Sequence, residues 1–361
     1  MKIGLVRRGF SPTGGAEAYL QRFARAATQA GHPCVLFTDS PWPADAWNAE
    51  SVRVRGSDPR AFADGLEAAR PKEHCDFLLS LERVWRCDAY RAGDGVHAAW
   101  LQRRAAIEPR WRNWLRRFNP KHRALLELER SLFAHAGAGH VIANCQLVRR
   151  EIQAHFSLAP EKISVVYNGL PLPITDPAHT PDQIRAAIRE TLGIGAQDYV
   201  LLFVGSGWER KGLRFAIRAV QDMPGATLLV AGRGNSRNLP RSPQVLFLGQ
   251  RRDVAELMQA ADAFILPTIY DPFSNACLEA LHAGLPVITS RANGFSEILG
   301  PELDAGIVAD PRDIDALTAA IRHWAAPQRR TEARAASRTL ASRFTIEENL
   351  RQTFAALGLA A

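Results

Sequence analysis

Short apolar runs alternate with longer segments of helical periodicity along nearly the whole chain. Runs such as Phe77–Ser80 are too short for helices and rich in residues that fit buried strands. Polar or glycine-containing turns follow them, and then apolar residues at helical spacing. The predicted strands are Lys2–Arg7, Val35–Thr38, Phe77–Ser80, Val141–Asn144, Ile163–Tyr167, Tyr199–Val204, Thr227–Ala231, Val245–Leu248, Ala263–Leu266, Pro286–Ser290 and Gly306–Ala309. This alternation predicts an α/β fold with parallel sheets.

A proline-rich segment interrupts the alternation near the middle of the chain. Its prolines are Pro171, Pro173, Pro177 and Pro181. Because proline disfavours both helices and strand pairing, this segment is predicted to link two domains. We predict domains over residues 1–172 and 173–335, followed by a C-terminal helical segment over residues 336–361. A chain of 361 residues fits two domains of average size.

Composition narrows the class of protein. The five cysteines are scattered and form no Cys-x-x-Cys pair, which argues against a disulfide framework and against a zinc site. The apolar start is interrupted by Arg7 and Arg8 before it could form a secretion signal. No apolar run approaches the ~18 residues that a membrane-spanning helix needs. We therefore expect a cytoplasmic protein that can at most lie on a membrane surface.

The net charge of +8 is concentrated in one segment. Between Trp100 and Arg123 there are eight Lys or Arg residues and one acid, so this segment alone carries +7. Aromatic residues alternate with the cations, as in segments that bind anionic lipid surfaces. The predicted membrane or acceptor residues are Trp100, Arg103, Arg104, Trp111, Arg112, Trp114, Arg116 and Arg117. Pro109 and Pro120 limit any helix here to a short piece, and a solvated basic loop or an RNA-binding segment is the alternative.

Two polar clusters follow predicted strands in the second half of the chain. The first, GSGWERKG, contains Arg210 and Lys211, and the second, YDPFSNACLEA, contains Asp271 and Glu279. Ligands of parallel sheets bind at the carboxyl ends of strands, and helix N-termini attract phosphate. The cations suit a diphosphate, whereas the carboxylates suit hydroxyl groups. Together the clusters predict a nucleotide-sugar site.

Two glycine-containing turns carry the candidate chemistry of the first half. Gly14 and Gly15 follow the first strand and would let the backbone approach a ligand closely, although a tight turn alone would also need them. In GDGVH, Asp94 lies between two glycines and His97 follows three residues later. This spacing favours a carboxylate that projects into a site. An acid that only stabilises the turn, with a solvated histidine, is the alternative.

With the LEALHAGLPV sequence that follows, the two polar clusters resemble the donor half of retaining glycosyltransferases of family 4, which have the GT-B fold. Asp271 stands where those enzymes carry the first Glu of a Glu-x₇-Glu motif. The resemblance implies two Rossmann-like domains that face each other across a cleft, with C-terminal helices that cross back to the first domain. The donor-binding residues that it implies are Gly14, Gly15, Asn168, Gly205, Gly232, Asp271, Ser274, Asn275, Ala276 and Glu279.

Similar enzymes transfer sugars onto lipopolysaccharide core. The resemblance therefore implies that a hexose, by expectation glucose, moves from a UDP-sugar to a lipid-linked saccharide such as core heptose. The implied catalytic residues are Asp94, His97, Arg210 and Lys211, of which the two cations neutralise the leaving diphosphate. Because these cations and helix N-termini replace a metal, we expect no metal or other cofactor.

The expected partners are the nucleotide-sugar donor, the lipid-linked acceptor and the anionic inner face of the membrane, and nucleic acid is not expected. Two alternatives remain. One is a UDP-sugar hydrolase or epimerase of the same fold. The other is a non-catalytic protein that binds a sugar nucleotide or a polyanion.

Overall fold

The computed structural model describes residues 1–11, 15–116, 118–171 and 179–359, with Arg112 described by its backbone alone. The chain divides into two compact units. The first comprises Met1–Tyr167 together with Glu347–Ala361, and the second comprises Asn168–Ile346.

The first unit contains one parallel sheet. Its strands are β1 (Ile3–Val6), β2 (Cys34–Thr38), β3 (Ser51–Arg53), β4 (Phe77–Ser80), β5 (Cys87–Ala92), β6 (Ala138–Ala143) and β7 (Ile163–Val165). Its order is β3-β2-β1-β4-β5-β6-β7, and every pair is parallel. The helices between the strands are α1 (Gly15–Gln29), α2 (Pro59–Ala68), α3 (His97–Ala105), α4 (Arg110–Arg116), α5 (Pro120–Ala134) and α6 (Gln146–Phe156). All residues of β1 and β2 are buried, as in parallel sheets that helices cover on both faces.

The second unit repeats this architecture. Its strands are β8 (Tyr199–Val204), β9 (Ala226–Ala231), β10 (Val245–Gly249), β11 (Ala263–Leu266), β12 (Val287–Ser290) and β13 (Ile307–Val308), in the parallel order β10-β9-β8-β11-β12-β13. Its helices are α7 (Pro181–Thr191), α8 (Leu213–Gln221), α9 (Val254–Ala260), α10 (Asn275–His282), α11 (Ile314–Ala325) and α12 (Pro327–Ala341). Short 3₁₀ helices occupy Pro71–Glu73, Pro160–Lys162, Gly294–Ile298 and Asp304–Gly306. The α/β class with parallel sheets is therefore confirmed.

The last helix, α13 (Ile346–Leu357), belongs to the first unit from Glu347 onward. Phe354 packs edge-on against Phe23 of α1, with ring centroids 5.3 Å apart. The hydroxyl groups of Thr353 and Tyr19 lie 3.3 Å apart. Because Phe23 is fully buried, α13 completes a core whose other elements come from the opposite end of the sequence.

Candidate functional site

The turn between β8 and α8 holds the predicted cation pair. Arg210 and Lys211 lie before the helix, whose N-cap is Gly212 with φ +76°. A Cβ atom at Gly212 would lie 1.8 Å from the carbonyl oxygen of Pro267. Only glycine therefore permits this turn to approach the loop that follows β11 so closely.

The structure brings the two polar clusters of the second unit into direct contact. Lys211 Nζ forms an ion pair with Asp271 Oδ2, and Arg210 Nη1 lies 3.7 Å from the same oxygen. Arg210 also donates to the carbonyl oxygen of Tyr270 at 2.9 Å, and its own carbonyl accepts from the Ile269 N–H at 2.9 Å. Asp271 is 5% exposed, so two cations share one nearly buried carboxylate. The pairing leaves one positive charge in excess.

The N-terminus of α10 lies beside this cation pair. Ser274 is its N-cap, and its hydroxyl accepts from the Cys277 N–H at 3.4 Å. Asn275 and Ala276 form the first turn, where backbone N–H groups have no partner within the helix. Asn168 Nδ2 donates to Asn275 Oδ1 at 2.8 Å, which places the predicted Asn168 at the same helix end. Cation pair and helix N-terminus together favour binding of phosphate oxygens.

A residue that sequence reasoning missed, Asn293, shapes this loop. It is fully buried, and its Oδ1 accepts from the backbone N–H groups of Ser274 at 3.3 Å and Phe295 at 3.2 Å. Its Nδ2 donates to Thr289 Oγ1 at 3.0 Å. Asn293 comes three residues after the end of β12, so the rule that polar residues at strand ends form sites could have found it.

Glu279 lies in the second turn of α10. Its side chain is half-buried, and burial raises the pKa of its carboxyl. Among the residues that the structure describes, none forms an ion pair with it. A half-buried carboxylate that no cation neutralises is suited to accept hydrogen bonds from sugar hydroxyl groups.

The predicted Gly205 and Gly232 lie against each other at the ends of β8 and β9. A Cβ atom at Gly232, where φ is +131°, would lie 2.2 Å from the carbonyl oxygen of Gly205. That same oxygen accepts from the indole N–H of Trp208 at 3.1 Å. The Trp208 ring lies 5.4 Å from the ring of Phe247, which is 46% exposed. An aromatic pair therefore borders the turn that carries the cations.

In the first unit, Asp94 and His97 lie on the connection from β5 to α3. Asp94 is exposed, in a turn after the strand. The buried Glu129 of α5 accepts from the backbone N–H groups of His97 at 2.5 Å and Ala98 at 3.1 Å. It also pairs with Arg83 at 2.9 Å, and Arg83 donates to the Gly95 carbonyl at 2.8 Å. A buried ion pair thus fixes the loop that presents Asp94.

His97 Nε2 lies 3.0 Å from Nδ1 of His122. Burial, followed by the charge of Arg83 and by His122 and Lys121, lowers the pKa of His97 to about 3. The imidazole is neutral at physiological pH and can act there only as a neutral hydrogen-bonding group.

The segment from Trp100 to Arg123 forms the end of α3, the short α4 and the start of α5, with breaks at Pro109 and Pro120 as predicted. Trp111 and Trp114 are each 59% exposed, and Phe118 is 65% exposed. Arg103, Arg104 and Arg116, in contrast, form ion pairs with Glu151, Glu108 and Glu108, respectively. The aromatic side chains rather than these cations are thus the exposed part.

Some predicted residues cannot be placed. Gly14 and Arg117 lie outside the described residues, as does the side chain of Arg112, whereas Gly15 begins α1. Within the described ranges, no group of three or more His, Cys, Asp or Glu residues is arranged to hold a metal ion. In that same part of the chain, no helix combines the length and apolarity needed to cross a bilayer.

Two family models match the chain, one for each half. Residues 13–172 match the model described as Glycosyltransferase Family 4, and residues 198–326 match the model described as Glycosyl transferases group 1. The lipopolysaccharide glucosyltransferase WaaG of Escherichia coli K12 is 25% identical over 336 residues, which cover 87% of this chain and 86% of that protein. A probable transglycosylase of Burkholderia thailandensis is 29% identical over 359 residues, 94% of this chain and 91% of that protein.

Solved structures show the same fold. The crystal structure of WaaG matches with a TM-score of 0.79 at 23% identity, over 99% of this chain and all of that one. Anabaena HepE in complex with UDP and glucose matches with a TM-score of 0.74 at 18% identity, over 99% of both chains. The predicted GT-B fold is thereby confirmed.

Proposed function

Since the chain belongs to the family 4 glycosyltransferases of the GT-B fold, we propose that it transfers a hexose from a UDP-sugar to a lipid-linked saccharide with retention of configuration. The observation that carries the donor assignment is the contact of the Arg210–Lys211 turn with Tyr270 and Asp271, which lead into the N-terminus of α10. At this place, phosphate oxygens would accept hydrogen bonds from backbone N–H groups and would lie near an excess positive charge.

We propose glucose as the hexose and lipopolysaccharide core heptose as the acceptor. Support comes from the relative WaaG, whose name describes a lipopolysaccharide glucosyltransferase, and from HepE, whose structure holds UDP and glucose. In this assignment Glu279 accepts from donor hydroxyl groups. Asp271 orients the two cations, with which it already pairs.

Transfer with retention breaks the bond between the sugar C1 and the β-phosphate oxygen and forms the bond from C1 to the acceptor oxygen on the same face. The acceptor proton passes to the departing phosphate oxygen. Arg210, Lys211 and the N-terminus of α10 stabilise the charge that develops on the diphosphate, a contribution of about 3–4 kcal/mol for a well-placed group. Asp94 orients the acceptor hydroxyl and stabilises positive charge at C1. Arg210, Lys211 and the N-terminus of α10 supply the positive charge without a metal ion.

The exposed aromatic side chains of the segment from Trp100 to Arg123 support a further part of the proposal, which is reversible docking to an anionic membrane surface. Rings at headgroup depth and neighbouring cations are the two components of such docking. A protein held in this way would meet its lipid-linked acceptor at the inner face of the membrane.

The donor assignment is tested by calorimetric titration of UDP and UDP-glucose into wild type and an Arg210→Ala, Lys211→Ala double variant. We expect wild type to bind UDP and the double variant to lose at least about a hundredfold in affinity, because two charge-assisted contacts are removed. Asp94→Asn is the matched variant in the other unit. It should keep the affinity for UDP and lose about 10²–10³-fold in turnover.

Binding of UDP without any transfer would favour a non-catalytic binding protein. Release of free glucose without a transferred product would favour a hydrolase. Unchanged UDP affinity in the double variant would contradict the donor site.

A further inference from the structure

Three adjacent strands of the first unit are followed by charged residues, and the proposed chemistry has used only one of them, Asp94. Arg7 follows β1 directly, Glu82 lies two residues after β4, and Asp94 lies two residues after β5. β1, β4 and β5 are neighbours in the sheet, so their carboxyl ends lie side by side. Ligands of parallel sheets bind at this edge.

Arg7 is the centre of this group. Its Nη1 lies 2.6 Å from Glu82 Oε1, and its Nη2 lies 3.1 Å from Glu17 Oε1 on α1. The backbone N–H of Arg8 also points to Glu82 Oε1, at 3.4 Å. One guanidinium is therefore held between two carboxylates, and its side chain remains 18% exposed.

Glu17 supplies a second, independent observation. The residue is 4% exposed, and its Oε2 has no hydrogen-bond partner among the described residues. Leaving a buried carboxylate oxygen without a donor is unfavourable, so it is seldom kept without a ligand or water that satisfies it. The other oxygen of this carboxylate binds Arg7, so the unsatisfied one lies in the same group.

The group carries excess negative charge. Neighbouring cations are already neutralised, since Arg8 lies 3.7 Å from Asp39 and Arg83 pairs with the buried Glu129 at 2.9 Å. Arg91, buried against the face of the Tyr19 ring at 3.9 Å, keeps its positive charge. The three carboxylates of Glu17, Glu82 and Asp94 still outnumber the two guanidinium groups of Arg7 and Arg91.

The charged groups around Arg7 shift one another's pKa. Burial raises the pKa of Glu82 against the opposing charge of Arg7, and Asp94 raises it further. For Arg7, burial opposes the charge, but Glu82, Glu17 and Asp94 together raise its pKa. Asp94, assigned above to the acceptor, therefore belongs electrostatically to this group.

We propose that Arg7, Glu17 and Glu82 extend the site of Asp94 into a subsite that binds hydroxyl groups of an uncharged sugar ring of the acceptor. Carboxylates accept from hydroxyl groups, and the guanidinium donates to a hydroxyl or ring oxygen. A phosphate ester on this ring would meet uncompensated negative charge and be rejected. Any reaction that phosphorylates this ring must therefore act after the transfer. The inference rests on the proposed function, because it assumes that Asp94 faces the acceptor.

The test measures transfer from radiolabelled UDP-glucose to a methyl heptoside and to each of its phosphate monoesters. Wild type should prefer the neutral glycoside by at least about tenfold in kcat/KM. Glu82→Gln should raise the KM for the neutral glycoside about tenfold, with little change in kcat. Because a negative charge is lost, it should also reduce the preference for the neutral over the phosphorylated glycoside. Arg7→Lys, which keeps the positive charge but loses the planar guanidinium and its paired N–H donors, should raise the same KM.

Glu50→Gln is the matched control. Glu50 pairs with Lys2 at 2.7 Å at the amino end of the same strand, β1, so its loss should leave every kinetic constant unchanged. Each variant is also checked by thermal unfolding and by UDP titration, and its affinity for UDP should equal that of wild type.

Transfer by wild type at equal efficiency to neutral and phosphorylated acceptors would overturn the subsite and leave the proposed function intact. An unchanged KM in both Glu82→Gln and Arg7→Lys would do the same. If wild type bound no UDP and transferred glucose to no acceptor, the proposed function would fail, and the subsite with it.

Discussion

The surroundings of His97 show how single residues acquire their chemistry in this protein. The resemblance implies that His97 is a catalytic residue beside Asp94, and an exposed histidine titrates near neutral pH. In the structure its ring is half-buried, lies 3.0 Å from His122 and is close to Arg83. These surroundings disfavour a positive charge on the His97 ring. A catalytic contribution from His97 would therefore be that of a neutral imidazole.

The lowered pKa of His97 makes stability depend on pH. Between about pH 6.5 and pH 3 the unfolded chain binds a proton at this residue and the folded chain does not. The free energy of unfolding should therefore fall as the pH decreases through this window. For one proton, the free energy of unfolding can change by at most about 1.4 kcal/mol per pH unit, and solvent screening at a half-buried ring reduces this change.

Urea unfolding of wild type and His97→Gln at pH 7.5, 6 and 5 measures this dependence. We expect the variant to lose less stability on acidification than wild type, while the difference between the two stays constant above neutral pH. Parallel curves for the two proteins across the whole range would contradict the assignment.

At the scale of elements, patterns in the sequence predicted the second unit better than the first. Every strand of the second unit was predicted, because each reads as an apolar run, as parallel strands buried on both faces do, and this holds even for β10, which is only partly buried. β5 was missed because its sequence, CDAYRA, contains Asp88 and Arg91, although Arg91 is buried in the structure, against the ring of Tyr19. β3 was missed because it has three residues and lies exposed at the sheet edge.

The candidate site was predicted in part. Motifs located Arg210, Lys211 and Asp271, which the structure brings together. They did not locate Glu129, because its partners, Arg83 and the N–H groups of His97 and Ala98, lie in distant segments. Asn293 was also missed, although its place after β12 could have identified it.

Glu129 links two elements and should be important for stability. From α5 it binds the first backbone N–H groups of α3 and neutralises the buried Arg83. Glu129→Gln would leave that guanidinium uncompensated, and we expect a loss of about 3 kcal/mol or more in the free energy of unfolding, measured by urea denaturation.

Glu127→Gln, on the same helix, is the control. Glu127 forms an exposed pair with Arg60 at 3.1 Å, which should contribute at most about 1 kcal/mol. Similar losses for the two variants would show that burial of the Arg83–Glu129 pair has no special energetic importance.

At the scale of the whole molecule, charge and exposed apolar surface coincide. The segment from Trp100 to Arg123 carries +7 of a net charge of +8. It also contains most of the large hydrophobic side chains that are exposed among the described residues. An interfacial segment needs this combination, whereas a solvated basic loop does not.

Sedimentation with vesicles tests this surface. We expect wild type to pellet with vesicles that contain anionic lipid, and a Trp111→Ala, Trp114→Ala, Phe118→Ala variant to lose most of that binding while it keeps its affinity for UDP. Phe247→Ala removes an exposed aromatic residue from the other unit and should pellet like wild type. Undiminished pelleting of the triple variant would rule out docking through the aromatic residues.

The position of α13 determines the order in which the chain can finish folding as it is synthesised. Residues 168–346, which form the second unit, leave the ribosome before the helix that carries Phe354, so the first unit lacks this helix until the second unit has been made. At roughly 5–20 residues per second, synthesis from residue 168 to Phe354 takes about 10–40 s, and during this time Phe23 lacks its partner. The unit that is begun first is therefore completed after the second one, and the apolar surface around Phe23 stays uncovered during that interval.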